Sequence, residues 1–423
     1  MSFTIETVNI NYQLFLDGAE LVIDKPEVEI QTNKFLLQIA GWIKWVGEAP
    51  ISVSVYCEHF KLIQESLGAR EDVPVTPPFV AAGFDLKLVI WTLPQNFKLK
   101  IVFEFNSHQE LLLGIIRGHW ESPFNPSDIS PIFINSLGRS GSSLAMRLMI
   151  AHEEVACGDR PPYELKLTKY LANIAGFISN GRRSDYPFSP DDLYLSECKL
   201  GYNPFFNNDF LCDDMIDWCE DTWLSESAFH MRKLVDSFYK HLAGTQGKPH
   251  INSFCEKIFP STHCYQMQFL YGQIKQVIIV RDPRDNLASR LCFNQLRNKD
   301  DFGLAKDQNL ESQLALLLSE YEALICNYLS LKDNSITIYY EDLIRNPYET
   351  SAKIFCFCGL NYESSIVEKC VKMALKLDGF SAGHITSESP LKSIGKWSNF
   401  FDKTSQKLIL QKLEPLLSNL GYL

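Results

Sequence analysis

A chain of 423 residues is longer than a single hydrophobic core usually serves, so two or three domains are expected. Hydrophobic residues make up 46% and charged residues 22%, the balance of an ordinary globular protein, and no run approaches the roughly 18 apolar residues of a membrane span. The formal charge of −11 excludes a general field for nucleic acid or anionic membrane, so an anionic ligand must be held by a local cluster of Arg and Lys.

The N-terminus lacks the basic start and apolar core of a signal peptide, which sets a cytoplasmic protein as the expectation. The 12 cysteines form no repeated C-x-x-C pair and read as buried free thiols rather than a zinc site or a disulfide frame. Within residues 1–120, Ile51, Val53, Val55 and Cys57 alternate with polar or small residues, and Phe97, Leu99, Ile101, Phe103 and Phe105 do the same. That period belongs to half-buried strands, and about seven such strands predict a small all-β sandwich domain. Residues 121–131 carry three prolines and no apolar period, as a linker does. The remainder, 132–423, is expected to form an α/β domain.

The stretch 131–154, PIFINSLGRSGSSLAMRLMIAHEE, begins as an apolar strand, turns through a Gly/Ser loop, and continues with Leu144, Leu148 and Ala151 at helical spacing. Gly138 and Gly141 permit a tight turn, and Ser140, Ser142 and Ser143 offer donors at the helix N-terminus. Arg139 adds a planar cation that can fork onto phosphate or sulfate oxygens. The loop lacks the Lys and the spacing of a Walker A motif, and the plain alternative is a strand-to-helix connector.

Residues 157–177 start as a loop with paired prolines and become helical, and 178–250 form a helical and irregular insertion. Such an insertion suits either acceptor selection or a simple cap over a sheet. A second apolar strand, 276–280, ends in Arg281; Pro283 stops it, Asp285 or Asn286 is expected to cap the next helix, and Ser289 falls in its opening turns. Arg281 and Ser289 can converge on one anion, whereas Arg281, Asp282, Arg284 and Asp285 could equally be a surface salt-bridge cluster. An amphipathic helix over 307–331, a β run over 335–340 and a C-terminal helix complete the pattern. Strands alternating with helices predict a parallel β-sheet flanked by helices in a three-layer fold, with ligands at the strands' carboxyl ends.

SLGRSGSS (136–143), VIIVRDPRDNLAS (277–289) and YYEDLIRNP (339–347) resemble, in order, the 5′-phosphosulfate loop, the 3′-phosphate strand-turn-helix and the adenine-side strand of sulfotransferases that use 3′-phosphoadenylyl sulfate (PAPS). KSIGKW (392–397) is similar to the late basic loop of that family, and NSFCEKIFP (252–260) to its segment bearing a catalytic Lys. The resemblance implies a sulfotransferase fold, PAPS as co-substrate, 3′,5′-bisphosphoadenosine (PAP) as product, and no required metal. It implies donor contacts from Arg139, Ser140, Gly141, Ser142, Ser143, Arg281 and Ser289. Tyr340 would lie beside the adenine unless it serves only in packing, Lys396 would close on phosphate, and Trp397 would meet the purine or anchor the loop.

By the same resemblance, Lys257 with Arg139 would stabilise the leaving oxygen; Glu256, next to Lys257 in the chain, is placed to orient it. The family's paired glutamates after Cys-Gly are absent here, which leaves Glu164, read as opening a helix, or Asp159 as the base. A carboxylate base points to a glycan or peptide acceptor. The competing readings are a P-loop kinase using Asp282 for Mg²⁺, disfavoured by the missing Walker Lys and by Arg281 beside that acid, and an inactive glycan-binding or scaffold protein.

Overall fold

The computed structural model describes residues 2–10, 20–28, 31–32, 35–46, 50–69, 73–77, 79–107, 109–179, 213–218, 222–299, 302–307, 309–376 and 389–423. About half of the expected insertion, 180–212 and 219–221, and with it Cys198, Cys212 and Cys219, lies outside the described residues. The chain divides into two compact units, one made of Met1–Pro126, Leu167–Val235 and Thr262–Gly272, the other of Ser127–Lys166, Asp236–Ser261 and Gln273–Leu423.

Among the described residues the first unit carries ten strands: β1 (Ser2–Ile10), β2 (Glu20–Lys25), β3 (Gln31–Thr32), β4 (Leu36–Trp45), β5 (Pro50–Cys57), β6 (Phe60–Ser66), β7 (Gly68–Ala69), β8 (Val80–Val89), β9 (Asn96–Phe105) and β10 (Glu110–Glu121). They form two antiparallel sheets, ordered β3-β1-β10-β9-β5-β6 and β2-β4-β8-β7. The alternation read in the sequence is the reason: Phe97, Leu99, Ile101 and Phe103 of β9 are all buried, with Lys98 and Lys100 on the other face. Phe84 of one sheet meets Phe103 of the other edge-on, with ring centroids 6.0 Å apart. Strands β3 and β7, at two residues each, are too short to leave a period in the sequence.

The second unit holds β11 (Ser130–Ser136), β12 (Val155–Cys157), β13 (Ser253–Ile258), β14 (Lys275–Val280) and β15 (Ser335–Tyr339) in one all-parallel sheet, ordered β12-β13-β11-β14-β15. Both faces of β14 are covered, which explains its unbroken apolar run. Val277 and Ile279 join the helices Ser142–Ala151, Pro347–Cys358 and Ser364–Leu375 in one core, and Ile278 and Val280 join Pro283–Arg297, Leu310–Ser330 and Lys403–Asn419 in the other. Each of these side chains stabilises by about 1.5–3 kcal/mol when fully buried.

The strand order has a functional consequence. The connection after β11 leads to β12 on one side of the sheet, and the connection after β14 leads to β15 on the other. The two adjacent strands therefore part at their carboxyl ends and open a crevice, where open α/β sheets take their ligands.

The same sheet carries a buried amide network. Asn135 donates to Gln276 at 2.8 Å and to Asn327 at 3.0 Å, and Gln276 donates to Ser335 at 2.9 Å. Asn327, fully buried, also accepts from the Ser261 amide and donates to the Ser261 carbonyl, each at 3.0 Å. Asn327→Leu strands the polar groups that remain and is expected to lower unfolding stability by about 1–3 kcal/mol in urea titrations. Wild-type stability in that variant would show that the network has a cheap alternative arrangement.

Candidate active site

The loop after β11 is bent by two residues in the left-handed region, Arg139 at φ 65° and Gly141 at φ 89°. Gly141 precedes the helix Ser142–Ala151, and only glycine fits there: a Cβ would sit 2.4 Å from Cδ2 of Tyr340. The helix has no acidic residue in its first turn, so its N-terminal dipole is left for an anion. Ser140 and Ser142 are buried and Ser143 is exposed. Asn286, on the neighbouring helix, pins the loop by donating to the Gly138 carbonyl and to Ser140 Oγ, both at 2.9 Å.

Two guanidinium groups face this loop. Arg139 donates from Nε to Ser289 Oγ at 3.3 Å, with its guanidinium 4.7 Å from the Phe293 ring centroid. Burial first, and then the charge of Arg281, lowers its pKa to about 10. An Arg so placed is still charged at neutral pH. Arg281, only 4% exposed, donates to the Arg139 carbonyl and the Ser393 carbonyl, each at 2.8 Å, and lies 4.7 Å over the Tyr340 ring. Its buried Nε has no hydrogen-bond partner among the described residues. Arg139 thus connects the other two, accepting from Arg281 at its carbonyl and donating to Ser289 from Nε.

The rest of the strand-turn-helix departs from expectation. The helix cap is Asp282, which accepts from the Arg284 amide at 2.9 Å, because Pro283 takes the first helical position, where no N–H is needed. Arg284 forks back onto Asp282 at 2.9 and 2.7 Å. Asp285 and Asn286, expected at the cap, instead reach other loops: Asp285 accepts from the Gly395 and Trp397 amides at 2.6 and 2.9 Å. Arg281, Asp282 and Asp285 are buried and Arg284 is half-buried in its ion pair with Asp282, so the group is not a surface salt-bridge cluster. Tyr340 begins a short helix at the end of β15, has Arg281 on its ring face, and shares a 2.9 Å hydrogen bond with Ser393 Oγ. Lys396 and Trp397 are half-buried in the late loop, with the Arg284 guanidinium 4.7 Å over the Trp397 ring.

A third cluster forms around β13. Lys257 is buried, and its Nζ donates to Glu164 Oε1 in a short ion pair. Lys166 approaches Glu164 Oε2 at 4.0 Å and lies 5.0 Å over the Phe259 ring. Glu164 stands in the loop before the helix Leu167–Ser179 and does not open it. Asp159, farther up that loop, is exposed. Glu256 points to the opposite face of β13 from Lys257, where it accepts the Tyr239 hydroxyl at 2.5 Å, so the carboxylate that pairs with Lys257 is Glu164. Lys166 and Ser393 carry no signal of their own in the sequence, and Asp285 and Asn286 show there only as helix caps. Asn286 and Asp285 lay inside a motif already singled out, but their reach across to other loops leaves no local signal.

Gly141→Ala combines an unfavourable φ with a steric conflict against Tyr340, and is expected to lose about 1–3 kcal/mol of stability by urea titration. Adding Tyr340→Ala should recover part of that loss, since the ring conflict goes and the φ cost remains. Strict additivity of the two changes would rule out the steric account.

A model described as the Sulfotransferase family matches residues 131–364. The "Putative protein-tyrosine sulfotransferase" of Caenorhabditis briggsae is 20% identical over 295 residues, covering 69% of this chain and 88% of that one. Mouse "Sulfotransferase 2A1" is 25% identical over 158 residues, 33% of this chain and 55% of the relative, so the match spans about half of that relative's length. Among solved structures, the sulfotransferase domain of the Synechococcus PCC 7002 olefin synthase aligns with 18% identity over 70% of this chain and 98% of its own, at a TM-score of 0.39.

Proposed function

The chain belongs to the sulfotransferase family, and on that premise we propose that it transfers a sulfuryl group from PAPS to a hydroxyl of a glycan or a tyrosyl peptide. The observation that supports the choice of donor is the buried guanidinium of Arg281 and the half-buried one of Arg139 beside a helix N-terminus, the Arg281 Nε having no hydrogen-bond partner among the described residues. A donor with a phosphosulfate and a separate 3′-phosphate meets that requirement with two anions, one for each cation. The kinase alternative is less suitable on an added ground: the Asp282 carboxylate is already engaged by Arg284 and by the helix cap.

In this reading Arg139, Ser140, Gly141, Ser142 and Ser143 grip the phosphosulfate end, and Arg281 with Ser289 holds the 3′-phosphate. Tyr340 and Trp397 border the purine, and Lys396 closes on phosphate. When bound, the nucleotide supplies an activated sulfuryl group attached to a good leaving phosphate. Glu164 takes the proton of the acceptor hydroxyl at its carboxylate, and Lys257 brings positive charge to the departing oxygen, seconded by Arg139. The acceptor must enter between partners that touch in its absence, since Lys257 and Glu164 are already paired. Asp159 is the second choice of base, placed in solvent and outside that pair. Residues 178–250 as the acceptor-selecting segment and 1–120 as an accessory domain belong to the same proposal.

PAP at 100 times its Kd should stabilise the protein by roughly 2.7 kcal/mol and raise its melting temperature. Arg281→Ala is expected to abolish that shift, and a shift of wild-type size would remove Arg281 from the 3′-phosphate site. Glu164→Gln should keep the shift while turnover with labelled donor falls by about 10²–10⁴. Full turnover in Glu164→Gln would transfer the base role to Asp159 or elsewhere.

A further inference from the structure

The segment from Ser393 to Trp397 is fixed at both ends by groups from the strand-turn-helix. At its start, the Ser393 carbonyl accepts from Arg281 at 2.8 Å, and Ser393 Oγ shares a 2.9 Å hydrogen bond with Tyr340. At its end, the two oxygens of Asp285 accept separately, Oδ2 from the Gly395 amide at 2.6 Å and Oδ1 from the Trp397 amide at 2.9 Å. Lys396 lies between those two amides, so the peptide groups on either side of it are held by one carboxylate.

We propose that Asp285 is a positioning residue for the donor site: it holds the Gly395–Trp397 turn against the helix Pro283–Arg297 so that Lys396 and Trp397 stand ready beside Arg281 before any nucleotide binds. The placement is costly unless it serves such a purpose, because Asp285 is 1% exposed. Burial pushes its carboxyl up, and the Trp397 and Gly395 amides oppose that push. Its carboxylate holds only one orientation when two fixed amides address its two oxygens. Gly395 supplies the complementary feature, a φ of 76° that bends both amides toward the same acceptor. The role given to the loop rests on the reading of this site as a PAPS site. The hold of Asp285 on the loop does not.

Asp285→Asn keeps the shape, leaves one acceptor oxygen, and turns an NH₂ toward the other amide. Three measurements are made on the full chain. Hydrogen exchange without nucleotide should quicken at the Gly395 and Trp397 amides. PAP affinity by calorimetry should fall about tenfold, the equivalent of losing one charge-assisted hydrogen bond. Donor KM should rise in parallel, while kcat and acceptor KM stay within about twofold. Asn309→Ala, which removes a remote helix cap, is the stability control and should leave PAP affinity unchanged.

Wild-type PAP affinity in a folded Asp285→Asn protein overturns the proposal, as does unchanged exchange at the two amides. If that variant fails to fold, Gly395→Ala disturbs the same turn, since its Cβ meets open space and only the backbone conformation suffers. The same loss of PAP affinity is then expected, and unaltered affinity overturns the proposal. Absence of PAP binding by the wild-type protein would instead sink the functional reading, and the exchange measurement would still report on Asp285.

Discussion

Taking a guanidinium group out of water at the carboxyl end of β14 imposes most of the architecture around it. An ion of this size loses several kcal/mol of hydration on burial, and the protein must return that energy through fixed dipoles and a polarizable surface. Arg281 finds them in three separate segments: the Arg139 carbonyl, the Ser393 carbonyl and the Tyr340 ring. Its own carbonyl accepts the buried Tyr321 hydroxyl at 2.6 Å, which secures the backbone from below. Each segment that solvates the cation is thereby fixed relative to it. The loop after β11, the end of β15 and the late loop are assembled by one shared obligation.

The two charge systems of the second unit are balanced in opposite ways. Arg139 and Arg281 direct hydrogen bonds to Ser289 and to backbone carbonyls and lie over aromatic faces, with the Asp285 carboxylate within electrostatic reach of Arg281. Lys257 is met by the carboxylate of Glu164, with Lys166 behind it. The first arrangement is held largely by neutral dipoles and ring faces, whereas the second joins opposite charges directly. A catalyst that binds a highly charged donor and a neutral acceptor hydroxyl has use for both.

The parts of the molecule visible in the sequence are those governed by short-range periodicity. Alternation along β9, the apolar run of β14 and the helical spacing after Gly141 each follow from which faces are buried, and burial acts residue by residue. Arg139, Arg281 and Ser289 were legible because they cluster on a loop and a turn whose form is local. Asp285 shows where that stops. Its carboxylate could have capped its own helix, and nothing within a few residues reveals that Pro283 moves the cap to Asp282 and frees Asp285 for a loop 110 residues away. Glu256 was drawn to Lys257 by adjacency in the chain, although neighbours on a strand face opposite ways. Glu164, 93 residues from its partner, meets Lys257 only through the fold.

The first unit draws its residues from three stretches of chain, and this bears on how such a protein could be divided or recombined. Phe269, in the helix His263–Tyr271, packs against Phe35 at 5.5 Å and against Trp120 at 4.9 Å, and Ser122 donates to its carbonyl at 2.8 Å. The all-β portion therefore closes its core with aromatic residues encoded well after the parallel sheet has begun. A cut in the chain near residue 126 would leave one fragment without its plug and the other with an uncovered apolar helix. Dividing the chain at that point would separate residues that share one aromatic core.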